Sequence, residues 1–161
     1  MNFSNAFGTR RVLIIDDEPS LRDLFAVALT NEQTEVVACT DGFTALRALE
    51  NGGFDAVLLD LSLPDINGIH ILREMRRRGD RTAVILCSAH VDERSFMEAL
   101  ELDAAAFISK PVTLHSLRRI VSDVIAGTLG ELGSASAFAE QFGFSCFSDM
   151  SGEEVPKKRE G

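Results

Sequence analysis

The sequence predicts an α/β domain built on a parallel sheet with helices on both faces, and three observations carry that prediction. Five short apolar runs alternate with amphipathic stretches between residues 11 and 126. The runs are rich in β-branched residues and nearly unbroken, as strands buried on both sides are. Polar residues gather where the runs end, and successive βα units with right-handed crossovers bring such ends to one edge of a sheet.

The elements follow in order. Strand one is Val12 to Ile15, and Pro19 beyond it suits the first turn of a helix, where a missing N–H leaves no bond unmade. Leu21, Leu24, Phe25, Ala28 and Leu29 then repeat at i, i+3, i+4, i+7 and i+8 along helix one. Strand two is Val36 to Cys39; a helix over about 42–52 ends at Gly52-Gly53. Strand three is Ala56 to Leu59, with a helix over 68–79 bracketed by Gly68 and Gly79. Strand four is Ala83 to Cys87, followed by a helix over 92–102. Strand five is Ala105 to Ile108, and Leu114, Leu117, Val121, Val124 and Ile125 share one face of helix five.

After Ala126 the composition changes. Gly127, Gly130 and Gly133 interrupt any helix, and four of the eleven phenylalanines fall within Phe138 to Phe147. Phe138 and Phe142 stand four residues apart, so a short helix ended by Gly143 can present both to one groove. The expected seat is the domain's own surface next to helix five. The chain thus divides into a lead (1–10), a domain (11–126) and an appendage (127–161) whose polar end, Ser148 to Gly161, is expected to be disordered.

Composition excludes several functions. At 161 residues with 45% hydrophobic and 25% charged residues the chain is ordinarily globular, neither a rod nor wholly disordered. Its longest apolar runs are about five residues, far short of a membrane span. The first residues lack the apolar core of a secretory signal, so a cytoplasmic protein is expected. Cys39, Cys87 and Cys146 are odd in number and widely spaced, which suits reduced thiols. A net charge of −9 opposes direct DNA binding. Arg76, Arg77, Arg78 and Arg81 read instead as cations complementing a helix C-terminus.

The chemistry gathers at the strand ends, where ligand crevices of open parallel sheets lie. Strand one runs into Asp16-Asp17, strand three into Asp60, strand four into Ser88 and strand five into Ser109-Lys110-Pro111. Three carboxylates held together repel one another unless a cation sits among them, and oxygen ligands alone suit Mg²⁺ or a similar hard ion. Taken singly, Asp16 and Asp17 could be an acidic helix start, and Ser88 a loop serine. Lys110 stands out more, because it is the only lysine before Lys157 while the other twelve cations of residues 1–126 are arginines. A compact ammonium is what a single phosphoryl oxygen needs.

The pieces Val12-Leu13-Ile14-Ile15-Asp16-Asp17-Glu18-Pro19, Asp55 to Asp65 with Gly68, Ser88-Ala89-His90 and Phe107-Ile108-Ser109-Lys110-Pro111, in this order, give the chain its family resemblance. From Arg11 to about Ala126, roughly three quarters of its length, it resembles the receiver domain of two-component response regulators. The resemblance implies a flavodoxin-like, doubly wound sheet of five strands in the order 2-1-3-4-5 with five helices. It makes Asp60 the phosphoacceptor, taking a phosphoryl group from a phosphohistidine on a histidine kinase or histidine phosphotransfer protein. Asp17, Asp60 and the backbone carbonyl of Ser62 would bind Mg²⁺ directly, with Asp16 acting mainly through bound water.

In the same implied scheme Lys110 pairs with one phosphoryl oxygen, and Ser88 donates to another. The Lys110-Pro111 peptide is cis, small Ala89 leaves room beside the phosphoryl group, and Ser62 and His90 tune its hydrolysis. Movement of Ser88 and inward turning of Phe107 would remodel the face made by helix four, strand five and helix five. That face would serve an unknown downstream protein or a homodimer. The chain would be no enzyme beyond its own phosphorylation and dephosphorylation. Asp103 stands where a glycine is usual before strand five, at a cost of about 1 kcal/mol if the left-handed conformation is kept. Two other readings compete: a receiver-shaped interaction module without phosphorylation, and a phosphatase of the haloacid dehalogenase type, which opens with Asp-x-Asp after strand one.

Overall fold

The computed structural model describes residues 8–128 and 133–144. The elements are β1 (Arg10–Ile15), α1 (Pro19–Leu29), β2 (Thr34–Cys39), α2 (Gly42–Glu50), β3 (Ala56–Leu59), α3 (Gly68–Arg77), β4 (Ala83–Ser88), α4 (Glu93–Glu101), β5 (Ala106–Ser109), α5 (Leu114–Ala126) and α6 (Gly133–Phe142). All five strands are parallel, in the order β2-β1-β3-β4-β5.

Alternation along the strands builds two cores. Val12, Ile14, Leu58, Ile85 and Ile108 point to one face, where Phe25 and Leu29 of α1 and Leu117 and Val121 of α5 cover them. Leu13, Ile15, Val57, Leu59, Val84, Leu86 and Phe107 point to the other, under α2, α3 and α4. Val12 to Ile15 are wholly buried, which explains why strand one contains no polar residue until its end. Side-chain caps set four helix starts: Asp41, Asn67, Asp92 and Thr113 each accept a backbone N–H from the first turn. α1 instead begins with Pro19 and has no side-chain cap.

Some boundaries differ from the sequence reading. β1 starts at Arg10 because Arg10 and Arg11 pair with Thr34 and Glu35, while the Arg11 N–H bonds Asp55 Oδ2 at 2.8 Å. β5 lies one residue later than expected, at Ala106–Ser109, in register with Ile85–Ser88. Among the described residues the five expected helices of the domain are present, and the short appendage helix follows as α6, which Gly133 opens instead of interrupting. Helix α6 ends at Gly143, whose φ of +70° permits the bond from Phe144 N–H to Ala139 O. It rests on β5 and on Phe96 of α4, rather than chiefly beside helix five. Phe147 and the stretch Ser148 to Gly161 lie outside the described residues.

The arginine cluster is structural. Arg76 donates to the carbonyls of Asp80, Thr82 and Leu102, and Arg77 and Arg78 pair with Glu74. Asp103 adopts φ +56° after α4, alone among described non-glycine residues in having a positive φ. Ala104 N–H reaches Ala99 O and Asp103 N–H reaches Leu100 O, the two bonds of a Schellman end. Cys39 and Cys87 are free and buried, and Cys146 lies outside the described residues. Among the described residues no helix is long and apolar enough to cross a membrane.

Candidate functional site

The sheet's hydrogen-bond pattern continues one residue past three strands and so places the site. Asp16 N–H bonds Cys39 O, Asp60 N–H bonds Ile15 O and Lys110 N–H bonds Ser88 O, at 3.2, 2.9 and 3.1 Å. Each backbone is thereby fixed where its side chain enters the crevice at the carboxyl edge. Asp16, Asp60 and Ser88 are buried and Asp17 is exposed.

One carboxylate oxygen from each of Asp16, Asp17 and Asp60 lies within 4.8 Å of the others. Lys110 Nζ sits 2.8 Å from Asp16 Oδ2 and 2.8 Å from Asp60 Oδ2. The second oxygens are held too: Asp16 Oδ1 accepts the Glu18 N–H, and Asp60 Oδ1 accepts the Ser62 N–H at 3.0 Å and the Ser88 hydroxyl at 3.3 Å. Ser88 Oγ also lies 3.0 Å from His90 O, so one hydroxyl proton faces two acceptors. Burial pulls the Lys110 ammonium toward losing its proton, but the bonds to Asp16 and Asp60 and their charges outweigh it. The group therefore stays charged well above the ordinary lysine range.

An all-oxygen cluster, closed by a lysine on one side and open through exposed Asp17 on the other, fits a hard divalent cation that keeps some of its water. Cys87, buried beside it, is pushed up to about 12 chiefly by burial and is a neutral thiol, not a nucleophile.

The loop after Asp60 is set by a close approach. A Cβ on Gly68 would stand 2.4 Å from Asp60 O and 2.9 Å from Leu61 Cα, so only glycine lets α3 begin there. Asp65 clamps the same loop to α2 by accepting the N–H groups of Gly42 and Phe43 at 2.8 and 2.9 Å. Sequence reasoning quoted Asp65 but gave it no task; a carboxylate in a loop facing a helix start is the signal it carried. The His90 carbonyl was missed as well, and a backbone acceptor leaves no signal in side chains.

The remaining candidates are placed as follows. Ser62, Ala89 and His90 are exposed at the mouth, and the Lys110–Pro111 bond is cis. Phe107 is 5% exposed, its ring edge-on to Phe96 at 4.8 Å. A cavity of about 460 Å³ lined by Leu61, Ser62, Asn67, His90, Ser95 and Phe142 adjoins the cluster. A larger groove, about 570 Å³ between α1 and α5, opens at the opposite end of the strands near Arg10 and has no part in this chemistry.

Comparison with known proteins identifies the family. The model of the response regulator receiver domain matches residues 12–122. The chain is 36% identical over 111 residues to the regulatory protein AtoC of Escherichia coli, covering 69% of this chain and 24% of that protein. It is 36% identical over 115 residues to the sensory transduction protein RegX3 of Mycobacterium tuberculosis, covering 71% and 49%. The chain thus spans between about a quarter and a half of the length of these curated relatives. Among solved structures, a CheY-like receiver domain protein from Methanospirillum hungatei superposes with a TM-score of 0.71 at 25% identity, over 75% of this chain and 97% of that one. The receiver domain of the NarL regulator of Mycobacterium tuberculosis gives 0.68 at 30%, over 74% and 98%. On these matches of sequence and fold, the chain belongs to the response regulator receiver domain family of two-component signalling.

Proposed function

We propose that Asp60 is a phosphoacceptor and that the chain is a switch driven by its phosphorylation. The observation that carries this reading is Lys110 Nζ bridging Asp16 and Asp60 while Ser88 and the Ser62 N–H hold the other Asp60 oxygen. A carboxylate so held is aimed, with its oxygens fixed in place, which is what a nucleophile toward phosphorus needs.

A carboxylate oxygen of Asp60 attacks the phosphorus of a phosphohistidine on a kinase or phosphotransfer protein. The P–N bond breaks, its electron pair stays on the imidazole nitrogen, and that nitrogen takes up a proton. Lys110 then pairs with one oxygen of the acyl phosphate and Ser88 donates to another, so charge brought into a buried site meets donors already in place. Asp16, Asp17, Asp60 and the Ser62 carbonyl would hold Mg²⁺, whose chemistry is to neutralise phosphoryl charge and orient in-line transfer. Water later attacks the phosphorus, releasing inorganic phosphate and restoring the carboxylate. Ser62 and His90, exposed at the mouth, govern that water's approach, and exposed Ala89 leaves the mouth unobstructed.

Phe107 is the packing element of the switch: it lies on β5, three residues before Lys110, and has no hydroxyl to bond elsewhere. Output passes to a protein partner, in keeping with a net charge of −9 that disfavours DNA on this segment. Intact-mass spectrometry after incubation with a small acyl phosphate tests the reading. The wild type should gain one phosphoryl group only with Mg²⁺ present, and Asp60→Asn should gain none; equal labelling of the two proteins would remove Asp60 from its role.

A further inference from the structure

Helix α6 contributes nothing to the sheet or to the carboxylate cluster, yet it is built to lie where it does. Ala135, Phe138 and Ala139 are 1–3% exposed and form one stripe at i, i+3, i+4, the small alanines letting the helix approach closely. The Phe138 ring stacks on Phe96 of α4 at 5.6 Å and meets Phe107 of β5 at 5.5 Å. Phe142 and Phe144 extend the same cluster. Among the described residues a polar contact accompanies it, from the Ser109 hydroxyl to Gln141 Oε1 at 2.5 Å.

Two of these contacts, those of Gln141 with Ser109 and of Phe142, lie next to residues that hold Asp60. Ser109 precedes Lys110 and stands beside Ser88 in the β4–β5 register. Phe142 lines the cavity that His90, Val91 and Ser95 share with Leu61 and Ser62. The loop bearing His90 is tied to the site by the Ser88 hydroxyl, whose single proton faces both Asp60 Oδ1 and His90 O.

We propose that α6 is a cover over the surface of α4 and β5 whose docking is coupled to the state of Asp60: seated while the carboxylate is bare, loosened when it carries a phosphoryl group. The proposal rests on the phosphoacceptor reading of Asp60. Phosphoryl oxygens are stronger acceptors than a carbonyl and draw the Ser88 proton away from His90 O. The His90 loop then loses its tie, and the end of α6 carrying Phe142 loses its seat. Release uncovers the apolar surface around Phe96 and Phe107, so the chain carries in α6 its own competitor for whatever binds there. Coupling of this kind is reciprocal: whatever factor loading takes from docking, undocking returns to loading.

The test uses the full chain with beryllofluoride and Mg²⁺, beryllofluoride being a stable stand-in for a phosphoryl group on a carboxylate. Amide hydrogen exchange is followed by mass spectrometry, and beryllofluoride affinity is measured on wild type, Phe138→Ala and Gln141→Ala. Loading should speed exchange of residues 133–144 about fivefold or more, the lower end of ordinary coupling, and leave β1 unchanged. Asp60→Asn should show no acceleration. Phe138→Ala should bind beryllofluoride tighter by a similar factor; Gln141→Ala, which alters only an exposed side chain, should do so to a smaller degree and keeps the test valid if Phe138→Ala fails to fold. Loading that leaves residues 133–144 unchanged or slows them, or variants that bind with wild-type affinity, overturns the coupling alone. Failure of the wild type to load at all overturns the phosphoacceptor reading and the coupling with it.

Discussion

Replacing Lys110 with alanine removes the ammonium that bridges Asp16 and Asp60 in a crevice where three carboxylate oxygens lie within 4.8 Å of one another. At 2.8 Å and an effective dielectric near 20, each Lys110 pair has a gross attraction of about 6 kcal/mol, most of which offsets the desolvation of the charges. What remains after losing one partner of a buried pair is about 3–5 kcal/mol. The low end applies here because Asp17 is open to water. For a chain of 161 residues, about 3 kcal/mol lowers Tm by roughly 6–12 °C. Denaturant and thermal unfolding in the presence of a chelator measure it. Lys110→Ala should lose that stability, and the double variant Lys110→Ala/Asp60→Asn should recover at least half of the loss, because one of the repelling charges has gone. Mg²⁺ should stabilise Lys110→Ala more than wild type. A single variant as stable as wild type, or a double variant no better than the single, would refute the idea that Lys110 holds the carboxylates together.

Three further outcomes follow from local geometry. Asp103→Gly removes left-handed strain of about 1 kcal/mol and loses an exposed Arg81 pair at 3.6 Å that contributes little; denaturant melts should show a net gain of about 0.5 kcal/mol, and a loss would contradict the strain. Gly68→Ala drives a methyl against the Asp60 backbone, so it should cost about 2 kcal/mol or more in the same melts and slow Asp60 labelling as well; labelling at the wild-type rate would mean the loop yields freely. Glu74 is held down to about 2 by its hydrogen bonds to Arg77 and Arg78. A carboxyl depressed in the folded state contributes stability above its unfolded pKa and loses it as pH falls, so the wild-type advantage over Glu74→Gln should shrink between about pH 4.5 and 2. A constant difference across that window would show that ionisation is not its source.

Much of the fold was legible because burial on both faces leaves a simple mark. Val12 to Ile15 and Ala56 to Leu59 had to be apolar at every position, and the first polar residue after each run therefore marked the crevice. Lys110 was legible for a different reason, as a lone lysine among arginines where a compact charge was needed. The beginning of β1 was hidden because Arg10 and Arg11 look like solvent residues, yet they pair through their backbone, and the Arg11 side chain lies over Phe54 at 4.6 Å. Gly133 read as an interruption because a glycine is costly inside a helix, but at the first position it is not inside one. The seat of α6 could not be chosen from Phe138 and Phe142 alone, since their spacing defines a stripe and not the partner; Phe96 and Phe107 supply the partner, thirty or more residues away. Contacts made through carbonyls, such as Ser88 to His90 O, have no sequence mark at all.

The most direct measurement maps the phosphoryl group itself. After incubation of the full chain with a small acyl phosphate and Mg²⁺, borohydride reduction converts a phosphorylated aspartate to homoserine, and peptide sequencing by mass spectrometry locates it. The phosphoacceptor proposal predicts homoserine at position 60, absent when Mg²⁺ is chelated. Homoserine at Asp16 or Asp17 instead, or an unmodified Asp60 under conditions where the chain has gained a phosphoryl group, would contradict it.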